Sequence, residues 1–430
     1  MAVSALRAVD EIAFFALPAC IFVTCRELRQ PPQSAHRMTS ATLRVVDSLA
    51  AIPPSRWDAL VGARPLLSHA FLHALHETGC ASPQTGWTPR YITAWKDDDL
   101  IGAMPLYRKA HSYGEYVFDW AWADAYRRHG RRYYPKLVAA IPFTPATGPR
   151  LIARDALTRK MLLQKALSLL AEERLSSLHI LFPEEREVAD CTRAGMIRRD
   201  SIQFHWANPG YRDFGDFLST MNHAKRKKIL QERRRLTDAG VVFSRVPGRE
   251  ATASDWAFFY RCYAKTYREH HSTPYLSLEF FLRLGAELAD SVLLVMGRLG
   301  GEPVCAALDL YGGGTLWGRY WGTLSHISGL HFEACYYQAI EFCIERRIEL
   351  FEGGAQGSHK LARGFLPVTT RSLHAVSDPD FARAIDAFVR EERGDVARTV
   401  NELESASPFK EPAFARASPD SATAPQIIHD

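Results

Sequence analysis

Two stretches far apart in this chain follow the same order of elements, and that duplication constrains the fold more than any other feature of the sequence. Trp95-Lys96 followed by Ile101-Gly102-Ala103 reads as strand, tight turn, strand, and so does Gly297-Arg298 followed by Val304-Cys305-Ala306. In each half a helical pattern then runs into an apolar strand, at residues 156–182 and again at 331–351. Two copies of one unit follow, each a mostly antiparallel sheet flanked by helices, so the fold class is α/β (α+β). Asn208-Pro209-Gly210 punctuates the chain between them. This places one domain at 38–209 and a second at 210–404.

The pattern supplies the elements of each half. In the first are a strand at 42–46, a helix at 55–78, a hairpin at 91–95 and 100–107 and a third strand at 115–120. A helix at 156–173 and strands at 177–182 and 202–207 complete it. The second half opens with one helix at 213–238 and a strand at 241–246, and continues with helices at 254–269 and 277–288. Strands follow at 291–298, 303–311 and 315–322, then a helix at 331–347, a strand at 348–351, a last strand at 370–375 and a helix at 381–403. The stretch from Ser405, rich in Ser, Pro and Ala, is expected to be disordered.

Residues 1–37 stand apart. Their apolar run, 12–25, is shorter than the roughly 20 residues that cross a bilayer, and Pro18 interrupts it. Asp10 and Glu11 occupy the region that is basic in a secretory signal. Met38 opens the first strand, which makes 1–37 an extension outside the fold and the cytoplasm the expected location. The eight cysteines contain no Cys-x-x-Cys pair and read as free thiols. His331 and Cys335 are four apart, but no third ligand stands at a suitable spacing, so no metal is expected.

The chemistry concentrates in residues 352–367, EGGAQGSHKLARGFLP, directly after an apolar strand. The glycines let the backbone turn sharply and approach a ligand. Glu352 and His359 are candidate general bases, and Lys360 is a cation for developing charge. Gly354, Gln356 and Arg363 are candidate substrate contacts, and exposed backbone N–H groups here can form an anion nest. Two other stretches are strongly basic. Residues 126–136 interleave Tyr126, Tyr133 and Tyr134 with four arginines and Lys136. Either they hold a phosphate-bearing or polymeric ligand, or the arginines are solvated and the rings anchored in the core. The helix expected at 213–238 carries Lys225, Arg226, Lys227, Lys228, Arg233, Arg234 and Arg235. That face is either solvated or grips phosphate, with Lys225, Arg226 and Lys228 as the candidates. The whole-chain net charge is only +5, which ranks nucleic-acid binding last among the roles considered.

Several unusual words occur in an order that resembles the FemAB-like (peptidoglycan biosynthesis/recognition) proteins of the GNAT acyltransferase superfamily. They are GEYVFDWAW (114–122), YYPKL (133–137), PFTPATG (142–148), GRYWG (318–322), LHFEACYYQ (330–338) and GAQGSHKLARGFLP (354–367). The resemblance covers about 40–400. It implies two tandem GNAT-like domains and transfer of an acyl or aminoacyl group to an amine, with a small molecule or cell-wall precursor as acceptor. Acyl-CoA or aminoacyl-tRNA would be a co-substrate rather than a tightly bound cofactor, and tRNA a possible partner. Residues 323–330 (TLSHISGL) lack the Arg-x-x-Gly-x-Gly/Ala pattern that cradles CoA pyrophosphate in GNAT enzymes, which weakens the CoA assignment. Within this reading Glu352 or His359 takes the amine's proton and Lys360 stands near the developing oxyanion, while Arg319, Tyr320 and Arg363 bind substrate. The alternative from another class is a binding module for an anionic or cell-wall ligand, with no chemistry.

Overall fold

The computed structural model describes residues 41–354 and 357–410. The extension at 1–37, Gln356 and most of the tail lie outside the described residues.

Fifteen strands are described: β1 (Thr42–Val46), β2 (Trp87–Pro89), β3 (Tyr91–Lys96), β4 (Asp99–Met104), β5 (Leu106–Lys109), β6 (Lys136–Ala139), β7 (Ile152–Ala153), β8 (Ser177–Leu181), β9 (Ile197–Ala207), β10 (Val241–Pro247), β11 (Val292–Leu299), β12 (Glu302–Gly312), β13 (Thr315–Thr323), β14 (Leu350–Glu352) and β15 (Leu366–Val376). The helices are α1 (Pro54–Val61), α2 (His69–Glu77), α3 (Trp120–Arg128), α4 (Ala156–Glu172), α5 (Glu185–Arg193), α6 (Phe214–Thr220), α7 (His223–Asp238), α8 (Ala253–Glu269), α9 (Leu278–Glu287), α10 (Leu330–Phe332), α11 (Gln338–Arg346) and α12 (Pro379–Ser405). The result is the expected mixed α/β architecture of antiparallel-rich sheets flanked by helices.

A small sheet, β1-β3-β4-β7, stands beside an eleven-stranded one in the order β10-β11-β12-β13-β14-β9-β15-β8-β6-β5-β2. Among the described residues only two strand pairs are parallel, β6 with β8 and β13 with β14. Parallel neighbours need a crossover. The first pair is joined through α4 and the second through α10 and α11, which is the duplication read in the sequence. The sheet does not stop at residue 209. β9, from the first half, pairs with β14 of the second, while β15, near the end of the chain, pairs with β8 of the first. β9 and β15 also pair with each other, from Leu366 opposite His205 to His374 opposite Ile197. Each half therefore completes its sheet with a strand from the other. On one face α7, α10 and α11 cover a core that includes Phe351 and Phe365, both fully buried with rings 5.0 Å apart. Burying one such ring stabilises the fold by roughly 1.5–3 kcal/mol.

Several expected elements differ. The helix at 55–78 is two, because Gly62 at φ +70° and then Pro65 break it into α1 and α2. The helix at 213–238 is also two, with Asn222 capping α7 by accepting from the Lys225 N–H at 3.0 Å. The helix at 331–347 contains one π turn, Glu333–Tyr337, between α10 and α11. The stretch from Ser405 does not all lack structure: Asn222 N–H donates to Pro408 O at 2.8 Å and Lys410 N–H to Thr220 O at 2.9 Å. The strand expected at 115–120 is absent, for a reason found at the site.

Candidate active site

β13 and β14 run together only from Thr315–Trp317 against Leu350–Glu352. β13 then continues to Thr323 while β14 ends, and the chain turns away at Gly353. The two strands part, and a cleft of about 540 Å³ opens at the fork. Its floor is Gly353, His359 and Lys360, one side is His331 and Tyr336 of the crossover helix, and the opposite wall is aromatic: Tyr113, Tyr116, Phe118, Trp120 and Tyr275.

The loop that makes the floor is shaped by its glycines. Gly357 sits at φ +113°, and a Cβ there would stand 2.5 Å from the His359 ring, so no other residue fits. Residues Ser358–Arg363 then form a 3-10 turn. Lys360 is buried and donates to Gly354 O at 3.0 Å; burial pulls its pKa down to about 8. His359 Nε2 lies 2.9 Å from Tyr336 OH. Partial burial, with Lys360 and Arg363 nearby, lowers its pKa and favours the neutral imidazole. His331 is held down further, to about 4, first by burial.

Arg363 is not placed as a ligand contact. It is buried, donates to both Glu232 oxygens at 2.9 and 3.0 Å and to His359 O at 2.8 Å, and stacks 3.3 Å from the Phe332 ring centroid. Its charge staples the loop to α7. The π turn contributes by sending neighbouring tyrosines to different partners, Tyr336 to His359 and Tyr337 to Glu232. Lys225, Lys228 and Glu232, spaced three and four apart, share one side of α7. The basic helix thus turns Lys225 and Lys228 toward the side that holds the loop. Lys228 is exposed, and Lys225 and Arg226 are half-buried.

Glu352 and His359 are not brought together. Phe351 packs under the crossover helix, so the next residue points through to the other face of the sheet. There Glu352 Oε2 accepts from Thr147 N–H at 3.2 Å. Burial raises its pKa to about 7, against the pull of that N–H, Arg150, the Trp317 side chain and Arg319. Arg319 is the extra residue of a β-bulge, since Asp309 pairs with Gly318 and Leu308 with Tyr320. Arg319 and Tyr320 consequently reach the same segment: Tyr320 OH donates to Phe143 O at 3.1 Å and Arg319 Nη2 to Phe143 O and to Thr144 Oγ1, the latter at 3.3 Å.

The aromatic wall explains the missing strand. Glu115 and Asp119 turn inward to a fully buried Lys136, which donates to Glu115 Oε2 at 2.8 Å, to Asp119 Oδ2 and to Ser112 Oγ at 2.8 Å. Lys109, also buried, donates to Tyr113 O at 3.1 Å. With its carboxylates drawn under, the segment holds Tyr113, Phe118 and Trp120 outward, 42–56% exposed. Gly114, at φ +80°, leaves room for the Phe143 ring 2.5 Å from where a Cβ would be. In the stretch 126–136 the rings of Tyr126 and Tyr133 are core and the four arginines are exposed.

Three of the six words that carried the resemblance line this cleft, 114–122, 330–338 and 354–367. The model of the FemAB-like family, described as peptidoglycan biosynthesis/recognition, matches residues 48–411. The chain belongs to the FemAB-like family. Among solved structures, this FemAB-like chain resembles that of FemX, at 10% identity and TM-score 0.51, covering 78% of this chain and 98% of that one. L-PGS from Bacillus licheniformis matches at 11% identity and TM-score 0.48, with 78% and 97% covered. A tandem GNAT protein from the clavulanic acid biosynthesis pathway matches at 10% and 0.42, with 79% and 99% covered. The likeness to FemX is one of fold. No curated protein matches the chain.

Sequence reasoning missed the aromatic wall, Tyr336, Glu232 and Asp309. Tyr116, Phe118 and Trp120 of the wall, and Tyr336, lay inside words already singled out, but nothing in the spacing showed that they face one another. Asp309 is buried with Oδ2 unpartnered, and burial drives its pKa far up.

Proposed function

We propose that this FemAB-like protein transfers an acyl or aminoacyl group to an amine, with a cell-wall precursor as acceptor. The observation that carries this reading is the fork between β13 and β14, where His331, His359 and Lys360 line the cleft and the Glu352 carboxylate is buried on the opposite face of the sheet. The family's description supports a cell-wall acceptor. On the Glu352 face, a carboxylate with a pKa near 7 is suited to take the amine's proton at neutral pH. On the helix face, His359 is the other candidate base, and Lys360 lies where charge develops on the carbonyl oxygen. The amine nitrogen forms the new amide bond, the donor's carbonyl–oxygen or carbonyl–sulfur bond breaks, and the released proton passes to the departing atom.

The donor is an acyl-CoA or an aminoacyl-tRNA, and its phosphates meet Lys225, Lys228 and Arg226 on α7. No described helix is long and apolar enough to cross a membrane. The test is mass spectrometry of the full chain incubated with each donor, with and without lipid-linked precursor, for wild type, Glu352→Gln and His359→Ala. Discharge of one donor by wild type and loss of discharge in a variant support transfer. Precursor retained unchanged by all three proteins would instead make this a binding module.

A further inference from the structure

We propose that Arg319 is a carboxylate seat and that the amine acceptor presents an α-amino acid centre, its carboxylate on Arg319 and its amine toward Glu352; this rests on the acyl-transfer reading above. The bulge in β13 aims Arg319 out of the regular alternation, as bulges beside functional sites do. Its guanidinium lies 4.9 Å from the Tyr320 ring centroid, and Tyr320 packs 5.1 Å from Tyr263. Tyr116, Tyr267 and Tyr275 complete a wall of phenols around it, and Tyr116 and Tyr275 also line the cleft.

Within that wall Arg319 bonds only through Nη2, and only to neutral oxygens: Phe143 O, Thr144 Oγ1 and Tyr320 OH. Among the described residues it makes no ion pair, and no hydrogen bond is made by its Nε or Nη1. This is unusual company for a half-buried guanidinium, because a cation drawn out of water is normally paired. Arg363 and Arg233 show the contrast, each with a carboxylate partner. The remaining edge of Arg319 is a planar fork of N–H donors, which matches a carboxylate in two parallel bonds. Glu352 is close enough to be stabilised by Arg319 but forms no ion pair among the described residues, and its Oε2 accepts from Thr147 N–H.

A cation with unused donors and a carboxylate without an ion-pair partner among the described residues, on one face of the sheet, complement an ammonium and a carboxylate on one carbon. A dianionic phosphate would face Glu352 as a like charge and gain less. In the transfer itself the bound ammonium first loses one proton to solvent; the amine then gives a second to Glu352 and forms the amide bond as the donor's carbonyl–oxygen or carbonyl–sulfur bond breaks. That proton then goes to the departing atom, and the carboxylate stays on Arg319.

The probes are lysine, lysinamide, which lacks the carboxylate, and Nα-acetyllysine, which lacks the α-amine. Binding of each to the full chain is measured by ligand-observed NMR. Wild type is expected to bind lysine roughly 10- to 100-fold better than lysinamide, the range for a charge-assisted pair. Arg319→Gln is expected to remove that preference and Arg319→Lys to keep part of it, with melting curves reporting that both variants fold. Equal binding of lysine and lysinamide, an undiminished preference in Arg319→Gln, displacement of lysine by inorganic phosphate at like concentration, or no binding of any probe would overturn the seat. Turnover is read separately. Equal acylation of lysine and lysinamide refutes the seat and leaves the transferase standing, whereas lysine held through Arg319 with no donor discharged does the reverse.

Discussion

Glu352 and Lys360 set opposing limits on the pH at which the cleft works. Burial raises the carboxyl to about 7, and it acts as a base only when ionised, so turnover should climb as pH passes through 7. Burial lowers the ammonium to about 8, and it stabilises an oxyanion only when protonated, so turnover should decline above 8. The expected profile is a narrow bell. Glu352→Gln should lower kcat by roughly 10²- to 10⁴-fold and abolish the rise on the acid side; an unchanged acid limb would move the base to another group. These residue types were legible in the sequence, because carboxylate, imidazole and ammonium crowd into one glycine-rich loop. Their sorting was not. Strand alternation sends Glu352 to one face while the loop carries His359 to the other, and Arg363 is taken up by Glu232, a partner on α7 that no local pattern in the loop could reveal.

At the scale of elements, the aromatic wall depends on one buried lysine. Lys136→Met would leave Glu115 and Asp119 in the interior without their cation, a change that typically costs about 3–5 kcal/mol. The expected result is a lower melting temperature together with a shift in tryptophan fluorescence as Trp120 and its neighbours leave the cleft. A variant that melts like wild type would show that the wall is held by something other than this cluster. The same cluster explains why residues 115–120 misled. Glu-Tyr-Val-Phe-Asp-Trp alternates as an exposed-edge strand does, yet the polar members are the buried ones. Only the lysine further along the chain makes that inversion affordable. By contrast, the hairpin β3–β4 and the three strands β11–β13 were readable, since turn residues and short apolar runs agree there with the tertiary fold.

For the whole molecule, the joint between β8 and β15 carries a buried histidine pair. His179 and His374 are register partners, their Nδ1 atoms are 2.6 Å apart, and Ser177 and Ser372 bind the outer nitrogens at 2.7 and 2.8 Å. Burial lowers the pKa of His374 to about 3 and that of His179 well below its usual range. Between those values and 6.5 the unfolded chain binds protons that the folded chain refuses, so this contribution is intact above pH 6.5 and is lost as pH falls. His374 alone should make the fold about 2 kcal/mol less stable at pH 5 than at pH 7. The melting temperature of His374→Gln should therefore fall less steeply between pH 7 and 5 than that of wild type, and parallel slopes would refute the assignment. The exchanged strands that this pair joins also set an order of assembly on the ribosome. Synthesis runs from the N-terminus, so β8 must stand with a bare edge while the entire second half is made, until residues 366–376 emerge and close it. A nascent chain stalled before that point would expose an unpaired sheet edge, a surface for chaperones to shield.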